Sequence, residues 1–377
     1  IIMLLYISVS AIVLVVVYLS WNTWRIREVL RKRRVCEEVK SEAVRKRVEK
    51  YLQSLPTTIT PTDYERALTS LASKLDKKLG LASLYPGNDF FILRESVVMS
   101  GGAPAVLLQL AHPYVAYAID HHSYSSENPF LRFHKTFENV FSVTFGDWRQ
   151  AERSSRRVYR THEKITGEIS ETLNEIYRAG GKYGALDFKA AMWVWATLVD
   201  YSILTHDIFV GSATTEDKVG YYEAAKQGAE VWGLDCELLP PTVEDFAEYC
   251  NYMWHSQVLC VSKPARAMET FLMRPLPLES AIGMNSNLLL AKVLLPHPVC
   301  QQYWGPTGSA TTALFCATAS LASAVYCLLP GSARYLTRYH RLKIRSSGGA
   351  GSLGPVESAA AMLGNWVVAK TLQIHTV

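Results

Sequence analysis

Hydrophobic residues recur along most of the chain at the three- and four-residue spacing of helices. Leu68, Leu71, Leu75 and Leu79 are one example of this spacing. The first twenty residues differ, because they are almost continuously apolar and carry no charge. No long alternating pattern typical of strands occurs anywhere in the sequence. The pattern therefore predicts an all-α protein, with a single large helical domain behind an N-terminal transmembrane helix.

The N-terminal apolar run has the length of about 20 residues that a helix needs to cross the hydrocarbon core of a bilayer. Trp21 and Trp24 follow it, where aromatic side chains meet the membrane interface. A signal peptide carries its positive charge before the apolar run, whereas here the charge comes after it. We predict an uncleaved single-pass anchor over residues 1–21, with the rest of the chain in the cytosol. A buried core helix is the alternative.

The net charge of +5 is modest, and six cations crowd into positions 25–34. The rest of the chain is nearly neutral, so we expect no nucleic-acid partner. Residues 22–60 are predicted to form a basic helical stalk. It would either lie near anionic headgroups or hold the domain away from the membrane. The catalytic domain is expected over residues 61–345, followed by a C-terminal tail over 346–377.

A second apolar run covers residues 307–329 and is rich in Ala, Ser and Thr. This composition favours a buried or interfacial helix over a second membrane segment. The seven cysteines contain no C-x-x-C pair, which indicates reduced thiols and argues against a cysteine zinc site. Neither an H-E-x-x-H zinc motif nor a G-x-S-x-G nucleophile elbow is present.

The most informative chemistry lies between residues 94 and 211. Arg132, Lys135 and Thr136 are three and four residues apart, so they share one face of a helix. His162 lies on a second predicted helix, and histidine binds haem iron and metals. Such a pair of helices could hold a large anionic cofactor such as haem. His112 is a competing candidate, although it can equally satisfy a backbone group before Pro113.

A series of short motifs occurs in a fixed order along this region. They read RESVVMSGGAPAVLLQLAHPYVA with HHS, NPFLRFHKTF with VTFG, THEKITG, WATLVDYS, FVGSATTEDKVGYYEAAKQGAEVWGL and ELLPPT. In this order and spacing the sequence resembles the catalytic domain shared by MpaB-type oxygenases of fungal natural-product pathways and bacterial latex-clearing (rubber) oxygenases. The resemblance covers residues 90–260 well and extends more weakly to about residue 345.

The resemblance implies an all-helical domain around haem b, with site residues at matching motif positions. His162 is similar to the axial ligand of the iron, and Arg132 and Thr136 to the pair that lines the haem pocket. Lys135 corresponds to a distal lysine of the rubber oxygenases, and Thr197 to a further pocket position. The glutamate proposed as a base in the rubber enzymes has no counterpart that we can place, and Glu95 and Glu138 are the candidates.

The function implied by this resemblance is that of a haem-dependent oxygenase at the endoplasmic reticulum membrane. It would use dioxygen to cleave or oxidise an apolar small molecule, of isoprenoid or polyketide origin, in secondary metabolism. A haem peroxidase, oxidase or cyclising enzyme is the second hypothesis. The third is a helical, membrane-associated lipid-binding protein without enzymatic activity.

Overall fold

The protein is mostly helical in the computed structural model, which describes residues 2–37, 41–122, 129–273, 288–348, 353–359 and 362. The predicted all-α class is confirmed. The helices, numbered in chain order, are α1 (Ile2–Glu37), α2 (Glu42–Ser54), α3 (Pro61–Lys74), α4 (Gly102–Leu110), α5 (Pro113–His122), α6 (Pro129–Phe145), α7 (Trp148–His162), α8 (Phe188–Phe209), α9 (Thr215–Gly228), α10 (Val243–His255), α11 (Lys263–Leu272), α12 (His297–Trp304), α13 (Ser309–Leu328), α14 (Gly331–Arg334) and α15 (Thr337–Ser346).

The strands of the described residues form one antiparallel hairpin, β1 (Thr166–Glu168) with β2 (Lys182–Gly184), in which Gly167 is paired with Tyr183. The hairpin follows α7 and lies against α5. Short 3₁₀ segments supply several of the connections; they are Gly80–Leu84, Pro86–Asn88, Ser96–Gly101, Ala229–Trp232 and Cys236–Leu238.

Helix starts follow local capping chemistry. Thr60 caps α3 with Pro61 at the first helical position, and its side chain accepts a hydrogen bond from the amide of Asp63. Thr214 forms the same reciprocal capping box with Asp217 at the start of α9. Each cap satisfies backbone amides that have no partner inside the helix. The bounds of these helices are therefore set by a few polar side chains.

Helix α8 lies at the centre of the domain. Both of its faces are largely buried, and its aromatic side chains bond to the elements around it. The indole of Trp193 donates to the carbonyl of Leu108 on α4 at 3.1 Å, and Tyr201 donates to the carbonyl of Leu294 at 3.1 Å. Since buried polar groups need partners, these bonds fix α4 and the backbone at residue 294 against α8.

The C-terminal half of α1 packs on this centre, which differs from the stalk expected for residues 22–60. Ile26 and Leu30 are buried. Arg25 donates to the backbone carbonyls of Asp207 and Ile208, which are left unpaired at the end of α8. Arg33 makes a two-pronged ion pair with Asp200, with distances of 2.9 and 2.8 Å. Two of the six cations that suggested a stalk therefore attach α1 to the domain.

Helix α2 is also part of the domain. Val48 is buried, and Tyr51 donates to the carbonyl of Leu238 at 2.7 Å. Ile59 is buried beyond the end of the helix, where its amide donates to the carbonyl of Leu186 at 2.8 Å. A solvated stalk would bury none of these groups, so the domain begins well before the predicted residue 61.

Helix α13 is long and apolar enough to cross a membrane by its length and composition. About a quarter of it (28%) is buried inside the protein. The expectation of a buried helix is therefore not met over most of its surface. The sequence also allowed an interfacial helix, and the exposed face of α13 agrees with that position.

Candidate functional site

The candidate site lies at one end of the hairpin formed by α6 and α7. Gly146 and Asp147 join the two helices, and Asp147 caps α7 by accepting the amide of Gln150 at 2.8 Å. Ser154 on α7 donates to the side-chain oxygen of Asn139 on α6 at 3.1 Å, which fixes the antiparallel register. Because the helices are antiparallel and Asn139 lies beside Ser154, the start of α6 lies beside the end of α7.

This register brings four of the five predicted site residues to the same end of the hairpin. Arg132, Lys135 and Thr136 occupy the first half of α6, and His162 is the last residue of α7. The side chains of Lys135, Thr136 and His162 are exposed. The backbone of Arg132 is helical, and its side chain lies outside the described part of the structure. The first half of α6, which carries Arg132, Lys135 and Thr136, thus lies near His162 at the end of α7.

A groove of about 800 Å³ runs along the outer face of α7. Its lining is strongly basic, and it consists of His122, Arg149, Glu152, Arg153, Arg156, Arg157, Arg160, Thr161, Lys164 and Ile165. Thr161 and Lys164 lie on either side of His162 in the chain. The groove therefore lies beside the residue expected to bind iron in the chain, although the His162 side chain is not part of its lining.

The arginines of the groove fall into two kinds. Arg156 donates to Glu65 on α3 and to Glu152 on its own helix, and these hydrogen bonds raise the pKa of its guanidinium. Arg149, Arg153 and Arg157 form no ion pair with any described residue, and the same holds for Arg160 and Lys164. Unpaired cations clustered on one face favour an anionic ligand.

The end of α5 closes one side of the groove. The Nε2 atom of His122 lies 2.8 Å from the carbonyl oxygen of Thr166 on β1, and His121 Nδ1 lies 2.9 Å from the hydroxyl of Tyr183 on β2. Both imidazoles are exposed at the helix end. They attach α5 to the strands that follow His162, so the region around His162 is held from two sides.

Thr197 lies in a different environment from the groove. It is buried on α8, where its hydroxyl donates to the carbonyl of Val194 at 2.8 Å and accepts the side-chain amide of Gln109 at 2.8 Å. The hydroxyl of Thr197 thus donates one hydrogen bond within α8 and accepts one from α4. The assignment of Thr197 to the cofactor pocket stays a prediction.

The two glutamates considered as a base are both engaged in ion pairs. Glu95 is buried, and its carboxylate is bound by Arg334 at 2.9 Å and lies 2.9 Å from the hydroxyl of Tyr326. Glu138 pairs with Arg338 at 2.6 Å. These ion pairs join distant parts of the chain, so the contacts favour structural roles for both glutamates.

Two buried histidines are notable outside the groove. Among the described residues, Nδ1 of His112 and both ring nitrogens of His206 have no hydrogen-bond partner. Burial lowers the pKa of each imidazole to about 4, so both are neutral near pH 7. His112, a competing candidate from the sequence, contacts the rings of Tyr114 and Tyr177. The sequence gives no signal that would single out His206.

One cluster of potential metal ligands occurs in the described part of the chain, formed by Glu230, Asp235 and Cys236. The Lys74 ammonium lies 2.9 Å from the Glu230 carboxylate and already compensates its charge. Burial and the adjacent Glu230 raise the pKa of the Cys236 thiol to about 11, which keeps it protonated. These contacts describe an ion pair with a neutral thiol, which is a poor metal site.

The described donors are of two kinds that a haem uses, an imidazole and cations that bind carboxylates. His162 supplies an imidazole, and the unpaired arginines of α7 supply partners for carboxylates such as the haem propionates. Ile165 is the apolar side chain of the described lining. The α6 side chains at 129–134, the other expected wall, lie outside the described residues.

The helical fold, with a histidine and a basic groove on one helical hairpin, defines a class of all-α protein suited to an anionic cofactor. Residues 91–324 match the family described as ER-bound oxygenase mpaB/B'/Rubber oxygenase, catalytic domain. The chain belongs to this family, as its motifs predict. It is therefore an enzyme, an oxidoreductase that acts on a small molecule with dioxygen. No curated protein and no solved structure matches the chain.

Proposed function

We propose that the protein is a membrane-anchored, haem-dependent oxygenase that cleaves or otherwise oxidises an apolar metabolite of isoprenoid or polyketide origin. The observation that carries the proposal is the position of His162 at the end of α7, next to the basic groove and inside the family match. A histidine, unpaired arginines and an oxygenase family together favour haem over the other cofactors that oxygenases use.

The residues of helices α6 and α7 would then have distinct roles. The imidazole of His162 would bind the iron through one nitrogen, while the other needs an acceptor that orients the ring. Arginines of α7 would hold the propionates, since a guanidinium binds carboxylates with two parallel hydrogen bonds. Haem b supplies the oxygen chemistry once it is bound.

The first half of α6 would form the opposite wall of the pocket. Arg132 offers a fixed positive charge, and the hydroxyl of Thr136 can donate a hydrogen bond toward oxygen bound in the pocket. Lys135 carries an ammonium that can hold or release a proton. Thr197 on α8, which accepts a hydrogen bond from Gln109, would be a further residue of the cofactor pocket.

The membrane has a part in this function because an apolar substrate partitions into lipid. Residues 1–21 would anchor the enzyme in the endoplasmic reticulum membrane, with the catalytic domain in the cytosol. The enzyme would then take its substrate from the bilayer or its surface. Fungal secondary metabolism, in which such intermediates arise, is the setting that the resemblance suggests.

Labelled dioxygen separates this function from the alternatives. The purified full chain is incubated under ¹⁸O₂ with prenylated aromatic acids and long isoprenoid chains, and the products are analysed by mass spectrometry. A cleaving dioxygenase puts label into both carbonyl products. A peroxidase, oxidase or cyclising enzyme leaves the carbon skeleton without this double label, and a lipid-binding protein gives no product. Thr136→Val serves as the matched variant that lowers turnover.

A further inference from the structure

Large apolar side chains are exposed along two neighbouring helices, and together they form what we call the lipid-facing surface. On α1 this surface comprises Leu14, Val15, Val16, Val17, Trp21 and Trp24, and on α13 it comprises Leu314, Leu321, Val325 and Leu328. Leu328 is 85% exposed and Leu321 57%. A contiguous apolar surface of this kind marks contact with a membrane or another protein.

Helix α13 turns large apolar side chains outward in its second half. Its twenty residues contain no charged side chain. The side buried in the protein carries Phe315 and Cys316 as well as Ser320 and Ser323, whereas Leu321, Val325 and Leu328 face outward. A helix on the surface of a water-soluble protein turns a polar face to water. The outward side of this half of α13 instead suits an apolar medium.

The contact between α1 and α13 also follows the rules of helices in lipid. The side-chain amide of Asn22 donates to the carbonyl of Ser320 at 3.1 Å, and the hydroxyl of Ser320 donates to the carbonyl of Leu19 at 3.0 Å. Ala319 and Ser323 are buried beside them, and small residues let two helices approach closely. Every polar atom named here is turned away from the exposed apolar side.

The distribution of charge identifies the medium as a bilayer. The two helices run antiparallel, since Ser320 contacts Leu19 while Thr312 lies 3.4 Å from Arg34. The exposed cations of α1 are Arg27, Arg31, Lys32 and Arg34. They lie beside the first half of α13, whereas Leu321 and the residues after it lie beside the uncharged part of α1. Trp21 and Trp24 mark the boundary, as aromatic residues do at the level of headgroups.

We propose that α13 and the part of α1 from Leu14 to Trp24 form one membrane-embedded unit, in which the exposed apolar side chains of both contact the acyl chains of a bilayer. The unit is joined rigidly to the enzyme. Arg25 holds the end of α8, and the hydroxyl of Tyr326 lies 2.9 Å from the buried carboxylate of Glu95. The catalytic domain is consequently held at a fixed angle to the membrane. This inference is independent of the cofactor and of the reaction.

Site-specific photocrosslinking of the full chain in vesicles of phosphatidylcholine and phosphatidylserine tests the proposal. The photoreactive residue p-benzoylphenylalanine replaces Leu321, Val325 or Leu328 in α13, one at a time. Val16 on α1 is the positive control. Ile176 and Val219 are matched controls, because both are exposed apolar residues outside the lipid-facing surface. The circular-dichroism melting curve of each variant verifies its fold.

We expect lipid adducts at Leu321, Val325 and Leu328, identified by mass spectrometry. Their yields should match that at Val16 and exceed those at Ile176 and Val219 by about tenfold, because only a group in the hydrocarbon meets acyl chains instead of water. Adducts between two copies of the chain at these positions would assign the face to a dimer and overturn the proposal. Lipid adducts confined to Val16 would overturn it as well.

Discussion

The guanidinium of Arg338 donates a hydrogen bond to the carboxylate of Glu138 at 2.6 Å and so joins α15 to α6. Arg345 on the same helix donates to the carbonyls of Phe145 and Lys78 at 2.8 and 2.9 Å. Helix α15 lies beyond residue 324, where the family match ends. A segment outside the matched region therefore positions the helix that carries Arg132, Lys135 and Thr136.

Replacing Arg345 by Ala should loosen α6 and the site on it. The variant leaves two carbonyls without their partner, which costs about 1–3 kcal/mol of unfolding free energy. We expect a lower melting temperature and less haem retained after gel filtration. Arg341→Ala is the control, because Arg341 is exposed and has no partner among the described residues. Equal behaviour of the two variants would show that α15 does not position α6.

The two buried histidines should make the fold sensitive to acid. His206 is neutral in the fold because burial lowers its pKa to about 4, whereas the unfolded chain titrates near the ordinary value of about 6.5. The unfolded state therefore binds more protons below about pH 6.5. The free energy of unfolding therefore decreases as the pH falls from about 6.5 toward about 4. The decrease is about 2 kcal/mol for one histidine at pH 5.

Substitution of His206 by Leu isolates this contribution. Unfolding free energies of both proteins are measured at pH 7.5 and pH 5 in the same detergent. The loss between the two pH values should be about 2 kcal/mol smaller in His206→Leu than in the unaltered chain. His255→Leu, at an exposed histidine, should leave the loss unchanged. An undiminished loss in His206→Leu would mean that His206 does not couple protonation to unfolding.

Substitutions of the groove arginines should distinguish residues that bind haem from residues that stabilise the fold. Arg153→Ala and Arg157→Ala each remove an unpaired cation, and we expect each to weaken haem binding about tenfold, as for one lost charge-assisted hydrogen bond. Arg156→Ala breaks the contacts with Glu65 and Glu152 and should lower the melting temperature instead. Titration of the haem-free protein with haem measures the affinity. Unchanged affinity in both Arg153→Ala and Arg157→Ala would remove the groove from the site.

Helical periodicity was sufficient to predict the fold class, because apolar spacing decides which face of a segment can be buried. The capping residue Thr214 and the proximity of Arg132 to His162 could also be predicted from local patterns and the motifs. The contacts of α1 with the domain were not foreseen, because charge alone does not show whether a cation faces solvent or a partner. Arg25 and Arg33 use their charge on the end of α8 and on Asp200, which are more than 160 positions away in the chain.

Other features depend on contacts that no local pattern contains. Glu95 reads as a free carboxylate in the sequence, yet Arg334 binds it from 239 positions away. His206 has no special neighbours in the chain, and its burial arises only when α8 is surrounded. The outward apolar face of α13 likewise depends on which side α1 covers. These are properties of packing between distant segments.

The direct test of the central claim is the absorption spectrum of the purified full chain and of His162→Ala. Spectra are recorded as isolated, after reduction with dithionite and after addition of carbon monoxide, with His255→Ala as control. We predict a Soret band that shifts on reduction and on carbon monoxide binding, that persists in His255→Ala, and that is lost or displaced in His162→Ala. A chain without a Soret band, or a band unchanged in His162→Ala, would contradict the assignment of His162 as the haem ligand.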